Sequence, residues 1–253
     1  MVERRTDLVY HYDGSFAGFL CCVFEAVARK EQPFGVWPWQ SAPPTLYPVR
    51  RIETRADWAQ RVFRSIGPKL GRRALPLVSR VFLSGDPDKD RLLLRFFDFG
   101  YLAGPQVCRM VAHDAVAPVL ELERQVANET HHYIEFLRFE ETEGMLAAVI
   151  EPKSCILPLL KGHFCNRFPD ETLLIADRTH GSALLWQDHH AQYLELTGDF
   201  SLPAPEEEEF ACQELWRAFY RTISIDAREN PALRRSHCPK RYWHYMTELR
   251  DMV

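Results

Sequence analysis

The chain has 253 residues, 46% hydrophobic and 12% aromatic, with 31 Lys and Arg against 35 Asp and Glu and a formal charge of −4. This is enough apolar material for one large or two small folded cores, and no uncharged apolar stretch reaches the roughly 20 residues that a membrane-spanning helix needs. Seven cysteines without framework spacing, and an N-terminus MVERRTDLVYHYDG with no apolar signal segment, predict a reduced, cytoplasmic protein.

The opening LVYHY is β-prone, and Phe16, Phe19, Leu20, Val23 and Val27 then recur at helical spacing, with Asp13 or Ser15 as the expected cap. Residues 32–48 carry five prolines with Trp37 and Trp39 and predict an irregular, partly extended connection. Thr54 and Asp57 resemble a capping box ahead of the apolar stripe Ala59, Val62, Phe63 and Ile66, which leaves Arg61 and Arg64 facing away. Helices are expected at 73–83, at 86–101 behind the acidic start DPDKD, and at 118–132.

The second half changes character. YIEFLRFEE and MLAAVIE flank Glu143-Gly144 as a hairpin, a helix carries Leu157, Leu160, Phe164 and Phe168, and LLIADR with SALLWQ forms a second strand pair that QYLEL extends. The fold class read from this order is α+β: a helix-rich N-terminal half, a ββαββ antiparallel sheet unit, then C-terminal helices. The acidic run Glu206 to Glu209 reads as the start of an amphipathic helix with Leu215, Phe219, Tyr220 and Ile223. One domain over 1–253 is expected, with a helical subregion 14–132, a sheet-containing subregion 133–196 and a C-terminal basic and aromatic segment 206–253.

Charge is distributed unevenly. Residues 50–80 hold nine Lys or Arg against Glu53 and Asp57, a balance of +7, and residues 228–243 hold five against Glu229, a balance of +4, so the remainder carries −15. The C-terminal run ENPALRRSHCPKRYWHY interleaves cations with rings, and Arg234, Arg235, Lys240, Arg241, Tyr242 and Trp243 are the candidate nucleic-acid contacts, because cations neutralise phosphate while ring faces stack on bases. A final helix with docked aromatics and solvated cations accounts for the same residues.

Motifs for other chemistry are missing. No cysteine spacing suits zinc or an iron–sulfur cluster, and no Walker or dinucleotide fingerprint is present, so neither a metal site nor a cofactor is expected. The pairs His131-His132 and His189-His190 read as polar surface. His163 and Arg167 share a helical face, and Asp177 and Arg178 end the next strand. These four are the candidate catalytic set, an oriented base with phosphate-holding arginines, or equally a structural ion-pair network.

The blocks VYHYDGSFAGFLCCVFEAVARKE, FLRFEETEGMLAAVIEPKSCILPLLKGHFCNRFPDETLLIADRTHG and ELWRAFYRTISIDARENPALRRSHCPKRYWHYMTEL, in this order, resemble the bacterial "probable DNA metabolism protein" family, a catalogued domain of unknown function. The resemblance implies a role in DNA modification or repair, because members are typically encoded beside a radical-SAM protein and some are fused to a uracil-DNA-glycosylase-like domain; this chain looks like the stand-alone form. The family pattern K-H-N-V-L-P-L meets Lys153-Ser154-Cys155-Ile156-Leu157-Pro158-Leu159 here, so a histidine expected at Ser154 is absent. No catalytic residue carries over.

Three expectations follow. The chain binds DNA and delivers it to a radical-SAM partner; or it acts catalytically on damaged DNA through the His/Arg/Asp set; or it is an assembly subunit of the partner that never touches nucleic acid.

Overall fold

The computed structural model describes residues 4–197, 200–202 and 207–252. The chain divides into two compact units, Met1–Ala127 and Asn128–Val253. Its class is mixed α and β in the expected order, helices first, a five-stranded sheet next and C-terminal helices last.

In the first unit, β1 (Val9–Tyr12) leads into α1 (Phe16–Arg29). Ser15 is the N-cap, its Oγ accepting the Gly18 N–H at 2.9 Å. Asp13 instead accepts from the Ser15 N–H and hydroxyl and, at 2.6 Å, from the Thr54 hydroxyl. Thr54 is thereby committed to Asp13, so the capping box expected with Asp57 does not form, and α2 (Ala56–Leu70) starts from Arg55 without a side-chain acceptor.

The proline-rich connection is more ordered than its composition suggests. It contains β2 (Gly35–Pro38) and precedes β3 (Val49–Arg51), and both pair in parallel with β1 in the order β2-β1-β3. Such short strands carry little alternation of their own; the buried central strand supplies the register, and Pro38 sits at an edge where its missing N–H is tolerated.

α2, α3 (Ala74–Phe82), α4 (Lys89–Ala103) and the first part of α5 (Ala117–Phe136) complete this unit. Phe19, Ile66, Leu70, Leu77, Leu93, Phe96 and Phe97 form the buried centre of its core. On α2, Ala59, Val62, Ile66 and Leu70 are buried; Phe63, placed in the stripe by sequence, is exposed. Two buried tyrosines reach polar partners, the Tyr10 hydroxyl donating to Glu31 at 2.6 Å and that of Tyr12 to Asp90 at 2.7 Å.

The second unit contains β4 (Glu140–Thr142), β5 (Met145–Ile150), α6 (Leu157–Arg167), β6 (Leu173–Asp177), β7 (Ser182–Gln187) and β8 (His190–Glu195), with sheet order β4-β5-β6-β7-β8. The hairpin turns use left-handed backbone at Glu143-Gly144 and at Asp188-His189, which matches strand twist. Three of the four pairings are antiparallel, as the hairpins require. The fourth, β5 with β6, is parallel, because the helix α6 carries the chain back to the starting edge; the sheet is therefore mixed rather than wholly antiparallel.

α7 (Glu207–Ile223) and α8 (Pro231–His237) follow. Glu206 lies outside the described residues, and Glu207, Glu208 and Glu209 occupy the first turn of α7 where acid is favoured. The apolar residues assigned to the inner face of α7 are not inside: Leu215, Phe219 and Ile223 are exposed, while Tyr220 packs against a small core of Cys238, Trp243, Met246 and Leu249.

Candidate functional site

The C-terminal basic and aromatic segment splits into two kinds of residue. Asn230 caps α8, accepting the Leu233 N–H at 3.0 Å, and the chain then turns through a 3-10 segment, Lys240–Tyr245. Tyr242 and Trp243 are core residues, 1% and 6% exposed. The Trp243 indole N–H donates to the Cys238 carbonyl at 2.9 Å, and the Tyr242 ring packs on His132, Tyr133 and Phe136. Neither ring has a free face for a base, so stacking on these two is corrected to a structural role: they anchor the segment.

The cations of the segment are outside but partly occupied. Arg234 meets Glu229 at 3.2 Å, and Arg241 lies over Tyr242, 3.9 Å from Glu129. Lys240 lies over the Trp243 ring, and Arg235 donates to the Pro231 carbonyl. Among the described residues, neither Lys240 nor Arg235 has a carboxylate within ion-pair distance.

The earlier belt is a stronger cationic surface. In residues 1–127 there are 18 Lys and Arg against 14 Asp and Glu, whereas residues 128–253 hold 13 against 21, so the excess positive charge belongs to the first unit. Arg61, Arg64 and Lys69 line the outward face of α2 and, with Arg51 and Arg72, are exposed without a carboxylate partner among the described residues. Rings accompany them. Arg51 lies 4.3 Å from the Trp39 ring centre, Arg55 4.2 Å from Trp58, Arg61 5.6 Å from Phe24 and Lys69 5.3 Å from Tyr101. Arg61, Ser65 and Lys69 border a cleft of about 420 Å³ whose floor includes Val23, Phe24, Val27 and Tyr101.

The four catalytic candidates do not converge. His163 and Arg167 stand exposed on α6, where neither makes a contact with Asp177. Arg178 is exposed, donating to the Phe200 carbonyl at 3.1 Å and lying 3.8 Å from Glu151. Only Asp177 is buried, 1% exposed at the end of β6, and its histidine is His180 rather than His163.

Asp177 holds His180 twice. One carboxylate oxygen accepts the His180 backbone N–H at 3.1 Å and the other accepts from ring Nδ1 at 2.7 Å. The hydrogen bond with Asp177 is the leading cause that pushes the His180 pKa up to about 10. The spacing Asp177-Arg-Thr-His180-Gly181 was a signal available in the sequence: an acceptor three residues before a histidine in a tight hairpin turn lets both the backbone and the ring reach it.

Topology brings Cys155 to this pair. β5 and β6 are parallel with Ile150 opposite Asp177, and the Arg178 N–H donates to the Ile150 carbonyl at 3.0 Å, so the loops leaving both strands emerge at the same end. Carboxyl ends of parallel strands are where such sheets commonly place their sites. The loop from β5 is fixed by Glu129, whose two carboxylate oxygens accept the Lys153 and Ser154 N–H groups at 2.9 and 3.0 Å. Cys155 follows directly, just ahead of the first turn of α6.

A cleft of the second unit, about 440 Å³, is bordered by Arg138, Glu151, Arg178, His244, Tyr245 and Arg250. Its arginines are shared with acids, Arg138 with Glu248 at 3.0 Å and Arg250 with Glu140 at 2.7 Å. Among the described residues no group of three His, Cys, Asp or Glu is placed to hold a metal ion. No described helix is long and apolar enough to cross a membrane.

No curated protein matches the sequence. A family model described as a domain of unknown function, DUF4130, matches residues 87–248, more than half of the chain, and the protein belongs to that family.

Proposed function

We propose that the protein binds nucleic acid, with the exposed cations of α2 as its principal electrostatic surface. The observation that carries this reading is the exposed Arg61, Arg64 and Lys69 of α2, without a carboxylate partner among the described residues, with Arg61 and Lys69 bordering a cleft with aromatic walls. Guanidinium and ammonium groups release condensed counterions from phosphate, and a cleft of this size beside them accepts an unstacked base. Arg235, Lys240 and Arg241 make a second, weaker cationic surface, supported by charge alone now that Tyr242 and Trp243 are enclosed.

A role in DNA modification or repair, with DNA passed to a radical-SAM partner, rests on the sequence resemblance and gives the binding its purpose. The test compares two double variants with the wild type by fluorescence anisotropy on single- and double-stranded oligonucleotides. Arg61→Ala/Lys69→Ala weakens binding about tenfold or more, and Arg235→Ala/Lys240→Ala weakens it less. Equal affinity for the wild type and the α2 variant removes this surface, and absence of any binding by the wild type leaves the assembly-subunit reading.

A further inference from the structure

α7 meets the rest of its unit with a polar face and leaves its apolar one in water. Glu209, Gln213, Arg217 and Tyr220, spaced i, i+4, i+8 and i+11, are the positions of this helix that are buried or half-buried. Hydrogen bonds hold that face: the Gln213 amide donates to Glu209 at 2.7 Å and the Arg217 Nε to the Thr247 carbonyl at 3.2 Å. Cys212, Leu215, Trp216, Phe219 and Ile223, spaced i, i+3, i+4, i+7 and i+11, form a second stripe, and all five are exposed, Leu215 at 71%. About three turns of apolar surface in one stripe exceed the scattered apolar side chains that a monomer normally shows to water.

The charges along the helix select what covers it. Glu207 and Glu208 stand in its first turn, Arg221 in its last, and Arg228 in the 3-10 segment Asp226–Arg228 just beyond; none of these four has an ion-pair partner among the described residues. We propose that α7 is a self-association surface, on which two copies of the chain pair through antiparallel helices about a two-fold axis. An axis through the middle of the stripe brings Cys212 of one copy to Ile223 of the other and Trp216 to Phe219, so the two apolar stripes cover each other. The same register directs Glu207 toward Arg228 and sets the acidic first turn of each helix beside the basic end of the other, with the two helix dipoles opposed. Parallel pairing would instead place Glu207 and Glu208 against the same residues of the second copy. The surface uses none of the cations assigned to nucleic acid, so it is independent of that reading.

The test is sedimentation equilibrium of the full chain, free of nucleic acid, from about 1 to 100 μM, the weak end of the affinity range of protein interfaces. The wild type is expected to pass from monomer to dimer as concentration rises, and Leu215→Glu/Phe219→Glu to weaken dimerisation about a hundredfold with an unchanged circular-dichroism spectrum, since both side chains face water in the single chain. Two charge reversals test the orientation. Glu207→Lys/Glu208→Lys and Arg221→Glu/Arg228→Glu should each dimerise about tenfold more weakly, while an equimolar mixture of the two recovers the pairing of the wild type. The wild-type measurement needs no variant and stands even if one fails to fold. A wild type that stays monomeric at every concentration overturns the proposal, as does a dimer that survives Leu215→Glu/Phe219→Glu unweakened or a mixture that pairs no better than its components.

Discussion

At the scale of single residues, Asp177 decides how this part of the protein responds to pH. It binds both the backbone and the ring of His180, and the folded pKa of that ring lies near 10 against an ordinary 6.5. A raised histidine pKa means that the folded state holds the proton more tightly than the unfolded chain. The resulting stabilisation is complete below pH 6.5 and is lost as pH rises through about 10. Denaturant unfolding between pH 6 and pH 10 should therefore show the wild type losing more stability than His180→Gln over that interval. Parallel pH profiles for the two proteins would mean that the imidazole is not charged in the fold. The sequence named Asp177 but gave it the wrong histidine, because spacing within a helix favours His163 with Arg167 while the hairpin turn that presents His180 depends on local backbone geometry at Gly181.

Among the elements, the crossover β5–α6–β6 matters most, since it converts two hairpins into a sheet with a parallel joint and aligns two loops at one end. Its first loop depends on Glu129, which supplies one oxygen to each of two backbone N–H groups. Replacing it by Gln leaves one acceptor and turns an amide N–H₂ toward a donor, so Glu129→Gln should cost about 1–3 kcal/mol, the penalty of a buried unsatisfied donor. Chemical denaturation checks the stability; an unchanged midpoint would show that water replaces the carboxylate without loss. The helices were legible because long apolar stripes and acidic starts constrain them, as at 74–82 and 89–103. β2 and β3 were not, since three- and four-residue parallel strands take their identity from the neighbour they pair with. Tyr242 and Trp243 show the converse: interleaved cations and rings look like a binding strip, but the rings found a core and only the cations remained outside.

For the whole molecule, the formal charge of −4 conceals a positive first unit and a strongly negative second one. Under the proposed nucleic-acid binding, the α2 cations, which have no carboxylate partner among the described residues, are where phosphate would be neutralised. Sequence counting located this belt in residues 50–80; the structure separates Arg51, Arg61, Arg64, Lys69 and Arg72, which have no carboxylate partner among the described residues, from Arg50, Arg55, Arg73 and Arg80, which meet Glu31, Asp57 and Glu123. The most direct measurement of this account is the salt dependence of oligonucleotide affinity for the wild type and for Arg61→Ala/Lys69→Ala. Affinity should fall linearly on logarithmic axes as salt rises, and the variant's slope should be shallower by about 0.7–0.9 for each phosphate contact removed. Identical slopes for the two proteins, or affinity indifferent to salt, would contradict it.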